Sequence, residues 1–233
     1  MNSNRILIMQ PILDWNPVSL CRKAILLLLL LPFSLPSLYL SAQTFRIDTI
    51  SDALFQRIWE KSYKRDCTVP RSELRYLQVA HYNGEGKAVQ GEIVCNKAIA
   101  NDLIQIFKEL YQNKYPIERM QLIDDYDADD ERSMEANNTS CFNFRFIAGS
   151  TKLSNHSRGM AIDINPLYNP FVLRRSDGSL FVQPEKGRKY ANRKKKIPYK
   201  IDEKDLCYRL FIQHGFTWGG SWTTRKDYQH FEK

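Results

Sequence analysis

The segment SNHSRGMAID, residues 154–163, contains a histidine and an aspartate that could bind one metal ion together. His156 and Asp163 are seven positions apart, across a short turn. The chain contains only four histidines, and a lone histidine beside apolar residues is more often a hydrogen-bonded structural group than a ligand. Further ligands are therefore needed elsewhere in the sequence before this pair indicates a metal site.

The C-terminal segment GFTWGGSWTTRKDYQHFEK, residues 215–233, supplies them, because it contains Asp227 and, after two intervening residues, His230. A hydrolytic zinc site uses three protein ligands, commonly imidazole nitrogens and a carboxylate oxygen, and leaves one position open for water. His156, Asp163 and His230 form such a set. The sequence therefore predicts a zinc site that the fold has to assemble.

Peptide hydrolysis at such a site also needs a base that takes the proton of the water and returns it to the leaving amine. Asp227 is the candidate, and we expect it in the turn that enters the last strand; the alternative is an aspartate that only caps this turn. Arg145 is the candidate cation for the oxyanion of the tetrahedral intermediate. Alternatively, Arg145 has a structural role and pairs with an acid of residues 124–131.

Two segments with alternating apolar residues are expected to position these side chains. Residues 159–166, GMAIDINP, predict a strand that buries Ile162 and presents Asp163 on the opposite face. Residues 141–149, CFNFRFIAG, predict a strand with Arg145 on the face opposite three phenylalanines.

The remaining sequence predicts an α+β fold. It indicates a helix that starts near Thr49 and a β-hairpin that turns at residues 83–86. A helix over residues 97–112 and another that ends before Gly215 are also indicated. Residues 117–124 are expected to form a strand, followed by an acidic exposed loop that lacks the glycine and terminal glutamate of an EF-hand.

The first 42 residues resemble a secretory signal peptide, with Arg22 and Lys23 before a short apolar run. The run is shorter than the roughly 20 residues of a membrane span. We expect cleavage after Ala42, although a start at Met9 or an uncleaved anchor is also open. Residues 43–233 then form a single exported domain, located in the periplasm or cell envelope, without a stable membrane span after cleavage.

The chain carries a formal net charge of +8, much of it in residues 185–200. We interpret this segment as a solvated loop or a contact for an anionic polymer, and not as a nucleic-acid site, because no further basic stripe occurs. Four cysteines follow the signal segment without a Cys-x-x-Cys pair, which favours two disulfides in an oxidising compartment over thiolate zinc ligands. The hairpin register suggests Cys67 with Cys95, and elimination leaves Cys141 with Cys207.

The motifs SNHSRGMAIDINP and WGGSWTTRKDYQHF resemble those of zinc peptidases that act on bacterial cell-wall peptides. This family includes D-alanyl-D-alanine carboxypeptidases and dipeptidases of the VanY and VanX type, and L-alanyl-D-glutamate endopeptidases. The resemblance covers residues 117–233, which would form the catalytic core. It implies that His156, Asp163 and His230 bind Zn²⁺ and that Asp227 is the catalytic acid and base. It also implies that Ser154 supports the site by a hydrogen bond and, less directly, that Arg145 is catalytic.

The resemblance further implies a small antiparallel sheet that carries the zinc site, flanked by helices, as in the hedgehog and D-alanyl-D-alanine peptidase folds. The expected substrates are the stem peptides of peptidoglycan. Asp227 and the WGGSW segment slightly favour an L-alanyl-D-glutamate endopeptidase. The alternatives are a D,D-carboxypeptidase that removes the terminal D-alanine, and a non-catalytic zinc-containing protein that binds the cell wall.

Overall fold

A computed structural model describes residues 44–147 and 150–233, so the expected signal peptide lies outside the described residues. Among the described helices, none combines the length and the apolar character that crossing a membrane requires. The described strands are β1 (Phe45–Thr49), β2 (Leu74–Tyr82), β3 (Ala88–Asn96), β4 (Ala161–Asp163), β5 (Phe171–Arg174), β6 (Leu180–Gln183), β7 (Thr217–Trp218), β8 (Lys226–Asp227) and β9 (His230–Glu232). The described α-helices are α1 (Asp52–Ile58), α2 (Lys97–Gln112), α3 (Asp130–Glu135) and α4 (Leu206–Gln213).

The strands form three antiparallel sheets of three strands each, in the orders β1-β2-β3, β4-β9-β7 and β6-β5-β8. The α+β class with small antiparallel sheets is thus confirmed. The strands that carry the predicted site residues are divided between two of these sheets.

The first sheet is built on the predicted hairpin of β2 and β3, whose register pairs Arg75 with Cys95. Side chains alternate between the two faces of the hairpin, and both faces are packed against other parts of the chain. One face, which includes Leu77 and Ile93, packs against the apolar stripe of α2 in the main core. The other face, which includes Val94, packs against α1 in a second cluster. Ser51 caps α1, because its side chain accepts a hydrogen bond from the backbone of Leu54.

The second sheet places two predicted ligands directly opposite each other, since Asp163 of β4 pairs with His230 of β9. Their neighbours Ile162 and Phe231 are also paired, and both are fully buried in the main core. Because side chains alternate along a strand, burial of Ile162 and Phe231 turns Asp163 and His230 to the opposite face. The apolar pattern of the sequence therefore fixes the direction of both ligands.

The third sheet holds Asp227, which pairs with Phe171 of β5. The chain leaves β8 after Asp227, passes through Tyr228 and Gln229, and enters β9 of the second sheet. Asp227 was expected in the turn before the last strand; it lies at the end of a two-residue strand that immediately precedes this turn.

Residues 117–124 and 141–147, which the sequence predicts as strands, form no regular strand, and their backbone groups have other partners. Within residues 117–124, side-chain amides replace a neighbouring strand: Asn138 accepts from the backbone of Gln121 and donates to its carbonyl. In residues 141–147, the backbone of Phe142 donates to Val94 and that of Phe144 to Ser62. Each segment therefore runs across several elements instead of pairing along one.

The acidic segment is also more ordered than expected. It contains a 3-10 helix, Ile123–Tyr126, and then helix α3. Asp124 is buried, and it accepts hydrogen bonds from the backbone and the hydroxyl of Ser62 at 3.0 Å each. Burial raises the pKa of Asp124, against these hydrogen bonds. The expectation of an exposed loop is therefore wrong for this part of the chain.

All four cysteines of the described residues are free thiols, so neither predicted disulfide is present. Cys95 faces the main core, whereas Cys67 packs in the second cluster, on the other face of the hairpin sheet. The thiol of Cys141 contacts the carbonyl of Gly159 at 3.6 Å, while Cys207 lies in α4 beside Tyr115. The register was predicted correctly, but the side-chain alternation points Cys95 away from Cys67.

Candidate metal centre and active-site cleft

Three buried side chains bring their ligand atoms together at the second sheet. The Nε2 atom of His156 lies 3.1 Å from Nδ1 of His230, and the carboxylate of Asp163 lies 3.3 Å and 3.0 Å from these two nitrogens. One ligand atom from each residue falls within 4.8 Å of the others, which suits a single metal ion. The predicted ligand set is thus assembled in one place, as the described part of the chain shows.

His156 reaches this place through a short turn that precedes β4. The turn is a 3-10 helix, Asn155–Arg158, capped by the Ser154 side chain, which accepts from the backbone of His156 at 3.3 Å. Gly159 ends it with a positive φ of 66°. A Cβ there would approach the backbone nitrogen of Asn96 to 2.6 Å, so the turn fits against the hairpin only with glycine.

Each imidazole has one nitrogen in the cluster and the other engaged outside it. His156 Nδ1 lies 2.7 Å from the carbonyl oxygen of Cys141, and His230 Nε2 lies 3.0 Å from the carboxylate of Glu232. Asn155 donates to the same Glu232 oxygen at 2.7 Å. Histidines that bind metals usually donate their second nitrogen in this way, which fixes the ring and the tautomer. The donor set therefore fits a zinc ion.

The electrostatics of the cluster favour a cation between the three side chains. Although burial opposes its ionisation, His156 and His230 hold the pKa of Asp163 well below its usual range. Burial lowers the pKa of His230, but its hydrogen bonds to Asp163 and Glu232 outweigh this and raise it to about 10. A metal ion would supply the same positive charge in place of the proton, because zinc binds the neutral imidazole.

Asp227 adds a fourth functional group to the same cleft. Its Oδ1 atom is buried and has no hydrogen-bond partner in the part of the chain that the structure describes. Burial raises the pKa of Asp227 to about 6, and the negative charge of Asp163 contributes, against the opposing effect of His230. A buried carboxylate oxygen without a partner is costly unless a ligand or water completes it. This oxygen is therefore available to a bound molecule.

Arg145 lies on the wall of this cleft, but its charge is already engaged. Its Nε atom forms an ion pair with Asp130, and the side chain of Asn143 donates to the other Asp130 oxygen at 3.1 Å. The backbone of Arg145 donates to the hydroxyl of Ser157 at 2.8 Å. Arg145 therefore pairs with an acid of residues 124–131, as the structural alternative predicted. Its side chain also borders the cleft.

The cleft has a volume of about 570 Å³ and two apolar walls beside the metal cluster. One wall comes from Phe146, Ile147 and Leu153, of which Phe146 is 53% exposed. The other comes from the β5–β6 hairpin and Trp222, with the side chains Phe171, Leu173 and Phe181. No sequence pattern indicated that these segments would lie together. The position of Glu232 beside His230, in contrast, could have been predicted from the sequence. Residues two apart on a strand share a face, and His230 was already a ligand candidate.

The two glycines of the WGGSW segment allow the chain to fold tightly against the site. A Cβ on Gly219 would lie 2.7 Å from the carbonyl oxygen of Asp227, 2.8 Å from its Cβ and 3.3 Å from the Cβ of His230. Gly219 is buried between the turn that holds Asp227 and the sheet that holds His230. The absence of a side chain at this position therefore sets how closely the two functional residues approach.

Comparison with known proteins agrees with this arrangement. Residues 148–233 match the family described as D-alanyl-D-alanine carboxypeptidase, and the matched segment includes the three clustered side chains and Asp227 but not Arg145. The chain has no match among curated proteins or among solved structures. Residues 148–233 are thus similar to the D-alanyl-D-alanine carboxypeptidase family, the group of peptidases that the two motifs of this segment also resemble.

Proposed function

We propose that the protein is a zinc-dependent peptidase that hydrolyses the stem peptides of peptidoglycan. The observation that carries this proposal is the buried cluster of His156, Asp163 and His230 beside Asp227, whose buried oxygen has no partner in the described chain. A purely structural metal site has four protein ligands and no open position. Here three ligands and the carboxylate of Asp227, which keeps one oxygen without a partner in the described chain, face a cleft. This is the arrangement that hydrolysis requires.

When bound, zinc would supply the positive charge that lowers the pKa of a water and polarises the scissile carbonyl. The protein residues have separate tasks. His156, Asp163 and His230 would hold the ion, and Glu232 would keep the ring of His230 oriented. Asp227 takes the proton from the attacking water and gives it to the leaving amine. Burial raises the pKa of Asp227 above its usual range, which favours this role, because a base with a pKa near the working pH can accept and return a proton.

Arg145 would stabilise the oxygen of the scissile carbonyl as negative charge develops on it. It is placed on the cleft wall, and its ion pair with Asp130 restricts the conformations of its side chain. A guanidinium has several donor groups, so pairing with one carboxylate leaves others for a substrate oxygen.

We propose that the bond between L-alanine and D-glutamate is cut. This proposal is supported by Asp227 and the WGGSW segment, which resemble the corresponding residues of L-alanyl-D-glutamate endopeptidases. Removal of the terminal D-alanine is the second candidate, and the description of the matched family favours it. Both bonds lie in peptides outside the cytoplasm, which accords with the export that the first 42 residues suggest.

The test is digestion of purified muropeptides by the zinc-loaded protein, with the products identified by mass. A peptide released next to D-glutamate would establish the endopeptidase cut, whereas loss of one terminal alanine would establish the carboxypeptidase cut. The Asp227→Ala variant and chelator-treated protein are the controls. An intact muropeptide with the zinc-loaded wild type, together with retained binding, would identify a non-catalytic cell-wall protein and refute the proposal.

A further inference from the structure

Two arginines border the cleft, and only one of them is neutralised within the chain. Arg145 is paired with Asp130, whereas Arg225 is exposed and forms no ion pair or hydrogen bond with the described residues. The guanidinium of Arg225 lies over the ring of Trp222, with its Cζ 4.8 Å from the ring centroid. Arg225 is therefore a cation that the fold holds at the cleft without a carboxylate to bind.

The stacking also places this cation close to the metal cluster. The ring of Trp222 lies 5.4 Å from the ring of His230, so Arg225 is two ring contacts away from a predicted metal ligand. The backbone of Trp222 donates to the carbonyl of Gly219 at 3.2 Å, which ties its position to the segment packed against Asp227. A peptide held at the cluster would reach Arg225 within a few residues, since an extended chain spans about 3.3–3.6 Å per residue.

A stacked guanidinium keeps its donor groups free at the edge of the plane. These donors match the two oxygens of a carboxylate, and such bidentate pairs are stronger than hydrogen bonds between neutral groups. Of the acids at the cleft, Asp130 binds Arg145, and Glu232 lies against His230 and Asn155. Asp227 has an oxygen without a partner among the described residues, but it forms no ion pair or hydrogen bond with Arg225. The carboxylate that fits Arg225 therefore has to come from the bound molecule.

We propose that Arg225 binds the α-carboxylate of the substrate residue whose amino group is released. This inference rests on the proposed peptidase function and adds the substrate feature that the cleft selects. Both candidate bonds provide this feature. A terminal D-alanine has a free α-carboxylate. The D-glutamate of the stem peptide also has one, because its side-chain carboxyl forms the peptide bond to the next residue. Arg225 thus determines specificity for a carboxylate next to the scissile bond, and not for one of the two cuts.

Two pairs of synthetic peptides test this assignment. The first pair is acyl-L-Lys-D-Ala-D-Ala and its C-terminal amide; the second is acyl-L-Ala-γ-D-Glu-L-Lys and the same peptide with the α-carboxyl of glutamate amidated. The zinc-loaded wild type should cleave the acid of one pair with a kcat/KM about tenfold above that of its amide. In Arg225→Gln this preference should disappear, through a higher KM for the acid and an unchanged value for the amide. Arg225→Lys should retain part of it.

Arg175→Gln is the matched control. Arg175 also stacks on an aromatic ring, with its Cζ 5.2 Å from the centroid of Phe181, but it does not border the cleft. Its loss removes the same charge, so it should leave the preference for the acid unchanged. Binding of both peptides of a pair to the Asp227→Ala variant, with and without Arg225→Gln, gives a second readout, and the acid should bind about tenfold more tightly only when Arg225 is present.

The outcomes separate this inference from the proposed function. If the wild type cleaves a pair but Arg225→Gln changes acid and amide equally, the assignment of Arg225 is wrong and the peptidase function stands. An equal effect of Arg175→Gln on the acid preference would also overturn it, because the effect would then arise from net charge. If the wild type cleaves neither pair and binds acid and amide equally, both the function and the assignment fail.

Discussion

Replacement of Gly219 by alanine tests whether this position sets the distance between the base and the metal ligands. Gly219 does not have a positive φ, so alanine introduces no backbone strain, and the effect comes from its methyl group alone. That group would lie 2.7 Å from the carbonyl oxygen of Asp227 and 2.8 Å from its Cβ, whereas ordinary contacts begin at 3.4 Å. The Asp227 backbone therefore has to move by about 0.6–0.7 Å.

A displacement of this size predicts a larger loss of activity than of stability. Misplacement of a reacting group by about 1 Å can cost about 10²-fold in rate, so we expect kcat/KM to fall by about 10- to 100-fold. Overpacking of a buried site costs about 1–3 kcal/mol in the free energy of unfolding. Part of this is offset by the loss of about 0.4–1 kcal/mol of unfolded-state entropy when glycine becomes alanine. Zinc affinity should change less than activity, because the Cβ of His230 is 3.3 Å away.

The assay compares kcat/KM on the cleaved muropeptide, zinc affinity by chelator competition, and Tm. Gly84→Ala is the control, because its Cβ would also make a close contact, at 2.6 Å, but with the hydroxyl of Tyr199 at the end of a side chain. We expect wild-type activity in that variant. If Gly219→Ala retains kcat/KM within about twofold of the wild type, the position of Asp227 does not depend on this contact and the reasoning is wrong.

Further predictions concern the site residues and the thiols. Asp227→Ala should keep zinc and fold but lower kcat/KM by at least about 10²-fold, the scale of a general base; near-normal turnover would place the base elsewhere. Metal analysis should find one zinc per chain, lost in His156→Ala and in His230→Ala, and equal zinc contents would contradict the ligand set. Arg145→Lys should lower kcat and kcat/KM together, because lysine keeps the charge without the planar donors; a lower Tm with an unchanged rate per folded molecule would make Arg145 structural. Alkylation of the denatured, unreduced protein should modify all four cysteines of residues 44–233, and fewer adducts would reveal a disulfide.

The elements that the sequence predicted correctly are those whose partners are close along the chain. The β2–β3 hairpin and helix α2 follow from local periodicity and a turn at residues 83–86. The direction of Asp163 was also predictable, because the burial of Ile162 next to it determines the opposite face of the strand. In these cases one periodic pattern specifies both the element and the face that it buries.

The failures share a different cause, which is that these segments make isolated contacts with residues distant in sequence. The side chain of Asn138 binds the backbone of Gln121, and the backbone carbonyl of Ser62 accepts a hydrogen bond from the backbone of Phe144. No periodic signal marks such contacts, since each is a single residue distant in sequence. The apolar cleft wall of the β5–β6 hairpin was missed for the same reason, because only the tertiary fold brings it beside His230.

The corner between β8 and β9 has a consequence for how the selectivity of this cleft can change. Asp227 is hydrogen-bonded into the sheet that supplies the cleft wall, while His230 belongs to the sheet that is anchored in the main core. Substitutions that reshape the wall at Phe171 or Leu173 therefore act on β5, the strand with which Asp227 of β8 is paired. With Asp227 as the proposed base, a change of substrate preference on β5 would also shift Asp227, and compensation at the corner would be needed to keep it at the same distance from the predicted metal ligands.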